Sequence, residues 1–186
     1  GKLVEVTGNV TITVMNETGL VKNVTENING SSVTIDLGVL APGKYNITAV
    51  YNGDKNYANS TNDTEEYTVP LVSNYELPVT ATSIVYNESE VVITVVLPVG
   101  ANVDNLIIKV NDTVYTSANF IVGQNNVVTL RIGDIAAGDY TVNATYNKDA
   151  VFDTKSNVTV FSVAKADPNF NITKLIKLQK IEMLKD

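Results

Sequence analysis

The feature that most constrains this chain is a long internal repeat. Leu40 to Asn52 reads LAPGKYNITAVYN and Ile135 to Asn147 reads IAAGDYTVNATYN, with both tyrosines in the same places. Adding 95 to each number carries Val33–Asp54 onto Val128–Asp149 without a gap. Gly38, Gly43, Tyr45, Ala49, Tyr51 and Asp54 then fall on Gly133, Gly138, Tyr140, Ala144, Tyr146 and Asp149. Upstream, with an offset of 96, NVTITV from Asn9 meets NLIIKV from Asn105, and downstream YTV at Tyr67 meets FSV at Phe161. A period of about 95 residues is the size of one β-sandwich domain.

Side chains alternate along these segments with a period of two, the mark of a strand with one buried face. Val10, Ile12 and Val14 share a face against Thr11 and Thr13, and Tyr45, Ile47, Ala49 and Tyr51 share one against Asn46, Thr48 and Val50. The apolar residues are mostly Val and Ile, and Thr and Asn dominate the polar ones, so the chain reads as all-β. Asn29-Gly30 between two strand-like runs predicts a hairpin turn with positive φ at both residues. Seven strands are predicted in the second copy, near 79–85, 90–97, 104–110, 113–122, 126–132, 139–147 and 157–164, and five in the first.

The first copy has no room for the two strands that open the second, because its third strand already begins near Asn9. The expected organisation is therefore a partial module over 1–70, a complete one over 71–166, and a tail over 167–186. Pro70 and Pro78 stiffen the joint between the modules. A chain that starts inside a module is expected to come from a longer array. Its incomplete first copy is expected to expose a sheet edge and an apolar face.

Composition removes several classes of chemistry. With no Cys there is no disulfide, thiolate nucleophile or cysteine metal site, and with no His the commonest general base and transition-metal ligand are missing. The net charge of −7 disfavours nucleic acid and anionic membrane as partners. No apolar run has the length of a bilayer span, and GKLVEVTGNV is not a signal peptide, so any targeting or anchoring element is expected outside this sequence. Neither a catalytic role nor a cofactor or metal is expected.

Gly43-Lys-Tyr45-Asn-Ile47 and Gly138-Asp-Tyr140-Thr-Val142 resemble the tyrosine corner of immunoglobulin-like sandwiches. There a Tyr near the start of the sixth strand packs inward and its hydroxyl bonds nearby backbone. Ile47 and Val142 stand where antibody domains carry the second Cys, so the contact between sheets would be aliphatic. The longer pattern, followed by NGDKNYANS after Tyr51, is similar to bacterial and archaeal Ig-like repeats, in particular those of adhesin-like surface proteins of methanogenic archaea. The resemblance covers roughly residues 4–170 and is specific at Gly43–Asp54 and Gly138–Asp149. It implies all-β, tandem immunoglobulin-like β-sandwiches forming an extracellular, cell-surface stalk or adhesive surface. The partners it implies are neighbouring Ig-like modules and host or microbial surface ligands, with no catalytic residues. The second copy reads NKDAVFD where the first has NGDKNYA.

Asparagine carries the remaining signal. Twelve of 23 Asn begin an Asn-x-Ser/Thr triplet: Asn9, Asn16, Asn23, Asn29, Asn46, Asn59, Asn62, Asn87, Asn111, Asn143, Asn157 and Asn171. Random placement would give about four, so the triplets are either glycan acceptors on an extracellular chain or a by-product of Asn and Thr alternating on outward faces. Asn46 aligns with Thr141 and Thr48 with Asn143, which keeps the face polar while the triplet slides along it. Asp54, Asp63, Glu65 and Glu66 lack the compact alternate spacing that calcium requires, and a solvated turn is expected. Lys109, a candidate for a Lys–Asn isopeptide crosslink, aligns with Thr13 on the outward face. Leu175, Leu178, Ile181 and Leu184 mark an approximate amphipathic stripe in the tail, among Lys174, Lys177, Lys180 and Lys185. A carbohydrate-binding β-sandwich is the competing class, and a solvent-facing row of Tyr57, Tyr75, Tyr86 and Tyr115 is its expected signature.

Overall fold

The computed structural model describes residues 5–30 and 32–168, with side chains at all of these except 63 and 64. The tail stripe and Asn171 lie outside the described residues. The chain forms two compact units, one from residues up to 74 together with 148–153, the other from 75–147 and 154 onward.

The first unit is a single antiparallel sheet of four strands: β1 Asn9–Asn16, β2 Gly19–Asn27, β3 Gly43–Tyr51 and β4 Ser60–Val69. Their order is β2-β1-β3-β4. Outward positions are joined by hydroxyl pairs across the ladder, such as Thr11 with Thr25 at 2.8 Å. Such cross-strand pairs stabilise a solvated face without charge.

The second unit has nine strands: β5 Val79–Ala81, β6 Ile84–Val85, β7 Val91–Val96, β8 Leu106–Val110, β9 Thr113–Tyr115, β10 Phe120–Val122, β11 Val127–Ile132, β12 Gly138–Tyr146 and β13 Lys155–Ala164. They lie in two sheets, ordered β10-β11-β7-β5 and β6-β13-β12-β8-β9. In immunoglobulin lettering these are D-E-B-A and A′-G-F-C-C′, so this unit is an Ig-like β-sandwich. Val91, Ile93, Val95, Val128 and Leu130 of one sheet and Leu106, Ile108, Val142 and Ala144 of the other are almost completely buried. Each Val or Ile so placed contributes about 1.5–3 kcal/mol.

Three sequence expectations need correction. Two predicted strands of the second unit each divide because the chain changes sheets. Residues 79–81 pair antiparallel with β7, and 84–85 pair in parallel with β13. Residues 113–115 pair with β8 and 120–122 with β11, separated by a 3₁₀ turn that the Asn119 side chain closes on the Thr116 N–H at 3.0 Å. Seven strands thus become nine.

Among the described residues the first unit has four strands instead of five. Val33–Leu37, which aligns with β11, forms no strand. Its counterpart is held by β7, and among the described residues the first unit has no strand equivalent to β5, β6 or β7. Backbone groups join a ladder only where a neighbour exists to receive them. Asn29-Gly30 turns the chain with positive φ at Gly30 alone. It closes one isolated Asn29–Ser32 bridge, and no second strand follows to complete a hairpin.

Candidate functional site

The repeated segment builds the same corner twice. Gly43 and Gly138 open β3 and β12 at φ +152° and +159°, values that residues with a Cβ rarely adopt. Two residues on, the Tyr45 hydroxyl donates to the Ala41 carbonyl at 2.7 Å and the Tyr140 hydroxyl to the Ala136 carbonyl at 2.8 Å. Each ring folds back over the turn that precedes its strand, the arrangement of a tyrosine corner. Tyr45 is buried and Tyr140 half-buried, and Tyr140 stacks on Phe161 with centroids 5.0 Å apart.

The other ends of these strands are also built alike. Tyr51 donates to the Thr7 carbonyl at 2.8 Å, and the fully buried Tyr146 accepts the Asn102 N–H at 3.0 Å. Three residues later come Asp54 and Asp149. The Asp54 Oδ1 accepts the N–H groups of Asn56 and Tyr57, both at 2.7 Å. The Asp149 Oδ1 accepts those of Val151 and Phe152 at the same distance. A short acidic side chain here closes the loop on itself, as Asx turns do.

Asp54 is held further by Thr7, whose N–H and Oγ1 both donate to its Oδ2 at 2.8 and 2.9 Å. Those donors, the Thr7 N–H first, keep its carboxyl below the ordinary range against a smaller opposing effect of desolvation. Burial, and then the adjacent Asp54 carboxylate, push the Tyr51 phenol up. This loop clamp is the part that the sequence reading missed. Its signal was present in the recurrence of Asp at the same step after both tyrosines.

Among the described residues the acids around Asp54, Glu65 and Glu66 form no calcium site. Asp54 is occupied by four donors, Glu66 pairs with Lys44 at 3.4 Å on the surface, and the Asp63 side chain lies outside the described set. Among the described residues no group of three or more carboxylates is placed to hold a metal ion. Lys109 is exposed on β8, opposite Asn143 in the ladder. The four tyrosines of the carbohydrate-binding signature are not all solvent-facing, since Tyr75 is buried. Tyr57 belongs to the first unit, while Tyr75 is buried edge-on to Tyr146 with the Lys155 ammonium 5.6 Å from its ring centroid. Tyr86 is exposed and Tyr115 half-buried.

Of the triplet asparagines, Asn23, Asn29, Asn46, Asn59, Asn62, Asn87, Asn111, Asn143 and Asn157 are exposed, and Asn9 and Asn16 are half-buried. Several serve the backbone. Asn111 sits at φ +49° in the β8–β9 turn and accepts the Thr141 N–H at 2.9 Å. Asn157 donates to the Leu77 carbonyl at 3.0 Å. Asn16 accepts both the N–H and the hydroxyl of Thr18, within its own triplet. Beside the first corner, Asn16, Asn46, Lys44 and Glu66 border a groove of about 390 Å³ that Pro42 and Tyr45 also line.

No protein-family model matches the chain, and no curated protein does. Among solved structures, the chain is similar to the fibronectin(III)-like modules of CbhA from Clostridium thermocellum, at 13% identity and a TM-score of 0.36 over 89% of this chain and 83% of that one.

Proposed function

We propose that the chain is a structural repeat of an extracellular cell-surface protein, acting as a stalk or spacer and presenting an adhesive face. In this reading it belongs with the Ig-like repeats of methanogen adhesin-like proteins and carries no catalysis of its own. The observation that carries the reading is the duplication of scaffold. Under the repeat alignment, Val10–Tyr51, Ile12–Ala49 and Val14–Ile47 across β1 and β3 become Leu106–Tyr146, Ile108–Ala144 and Val110–Val142 across β8 and β12. What recurs is therefore a ladder, a corner and a loop clamp, all of which hold backbone in place. Polar side chains lie on the outer faces, and no polar or charged residue is buried among the described ones. A chain copied for its shape suits a protein that sets distance and offers surface.

Neighbouring modules of the same kind are the first partners in this reading, with surface ligands on other cells as the second. The exposed triplet asparagines are its glycan acceptors. The test is to probe intact cells of the source organism with antibodies against residues 75–164. Labelling without permeabilisation, lost on brief protease treatment of whole cells, is expected. Signal confined to the cytoplasmic fraction would overturn the proposal.

A further inference from the structure

An asparagine followed by glycine is the step of a polypeptide most open to attack on its own side chain, because no Cβ shields the incoming amide nitrogen. The chain has two such steps, Asn29-Gly30 and Asn52-Gly53, and both asparagines are exposed. Exposure therefore does not separate them, but hydrogen bonding does. Asn52 follows the end of β3, and its N–H donates to the Asn9 carbonyl at 3.0 Å. Its Nδ2 donates to Asn9 Oδ1 and Thr11 Oγ1 at 2.5 and 2.9 Å. Backbone atoms of Tyr57 and Asn59 stand 3.0 and 3.1 Å from the Cβ position of Gly53, so the approach to that glycine is crowded. Among the described residues the Asn29 side chain makes no hydrogen bond, and nothing lies within 4 Å of the Cβ position of Gly30. Asn29 lies two residues past the end of β2, tied by its N–H to the Ser32 carbonyl at 3.3 Å, long for such a bond. A turn held this lightly opens at little cost.

We propose that Asn29-Gly30 is a self-modification site, converting to isoaspartate in the folded protein with water as its co-reactant, while hydrogen bonds preserve Asn52-Gly53. The Gly30 amide nitrogen gives its proton to solvent and attacks Asn29 Cγ. The new N–Cγ bond closes a five-membered succinimide as the Cγ–Nδ2 bond breaks, and Nδ2 leaves as ammonia after taking a proton back from solvent. Water then opens the ring. Attack at the main-chain carbonyl of Asn29 gives isoaspartate, and attack at Cγ gives aspartate. One water is consumed and one ammonia released, with no change of oxidation state. At Asn52 the same step requires Nδ2 to leave both acceptors before the carboxamide can swing toward Gly53. Losing two such bonds slows the reaction about tenfold or more. The product at position 29 carries a new carboxylate and routes the main chain through Cβ. It also lacks the Nδ2 to which a glycan attaches. That last consequence rests on the glycan reading given above, whereas the reaction itself does not.

The test uses the full 186-residue chain, made in a host without N-glycosylation and incubated at neutral pH in heavy-oxygen water. Peptide mass spectrometry reads heavy-oxygen uptake at each Asn-Gly step, and an isoaspartyl methyltransferase with a labelled methyl donor reads isoaspartate. Uptake at Asn29 should run at least about tenfold ahead of uptake at Asn52, with methyl label at Asn29. In urea that unfolds the chain the two rates should converge, since both steps share one chemistry. Asn9→Ala combined with Thr11→Val should raise the Asn52 rate toward that of Asn29. Gly30→Ala should suppress uptake at Asn29 and leave the Asn52 rate unchanged. Three results would overturn the proposal. One is a rate at Asn52 equal to or above that at Asn29 in the folded chain. Another is no uptake at Asn29 over a period in which the urea-unfolded chain converts. The last is uptake at Asn29 without methyl label, which would mean aspartate alone.

Discussion

Ile12 and Ile108 offer a matched experiment. They are the same residue at the same step of equivalent strands, opposite Ala49 and Ala144 in equal register. They differ in what lies over them, since Ile108 is fully buried and Ile12 half-buried. Replacing Ile with Ala deletes about three methylene equivalents, each worth roughly 0.8 kcal/mol when fully buried, or about 2.4 kcal/mol of transfer. At Ile108 the surrounding sandwich cannot collapse fully, and the residual cavity raises the loss to about 3–4 kcal/mol. At Ile12 up to about a third of the surface is already wet and no closed cavity forms, so Ile12→Ala should cost about 1.5–2.2 kcal/mol. Urea titrations followed at resolved methyl resonances of each unit measure both losses on the intact chain. Losses equal within about 0.5 kcal/mol would refute the reasoning, because equal cost requires equal cover.

Other outcomes follow from the same geometry. Tyr45→Phe should destabilise the first unit by about 1–1.5 kcal/mol and Tyr140→Phe the second by about 0.5–1, the Tyr45 bond costing more because it is part-buried while that of Tyr140 is exposed; equal thermal shifts, or none, would contradict this. The Asp54 carboxyl is depressed below its ordinary value of 3.8, so its contribution is present above that value and is lost as the pH falls below it. Asp54→Asn should flatten this acid limb and speed exchange at the Thr7, Asn56 and Tyr57 amides, which hydrogen-exchange profiles at several pH values would record. Glycopeptide mass spectrometry of the native protein should find the exposed Asn46, Asn62, Asn87 and Asn143 occupied ahead of the half-buried Asn9 and Asn16.

Much of the architecture was legible because period-two alternation and a gapless repeat report on faces and register directly. Val10, Ile12 and Val14 align with Leu106, Ile108 and Val110, and the ladders pair them alike. What the sequence hid were features set by neighbours. Thr82-Ser83 and Ser117–Asn119 look like strand interior by composition, yet the chain leaves one sheet for the other at both. Val33–Leu37 has the side chains of β11 without a strand to pair with, so propensity alone overstates it. The corner was readable from Gly43 and Tyr45, since a glycine and an aromatic two apart carry the geometry. The Asp54 clamp was harder to see, because an acid in a polar loop suggests solvation until its four donors are located.

Native-state hydrogen exchange on the whole chain tests most directly whether these are two copies of one scaffold, one fully covered and one only partly covered. Amides of Val142 and Ala144 in β12 should exchange only through global opening of the second unit. Those of Ile47 and Ala49 in β3 should exchange about 100-fold faster or more, a gap of roughly 2.7 kcal/mol in opening free energy. Equal protection in β3 and β12 would show that the first sheet is as well covered as the second, and would contradict the account.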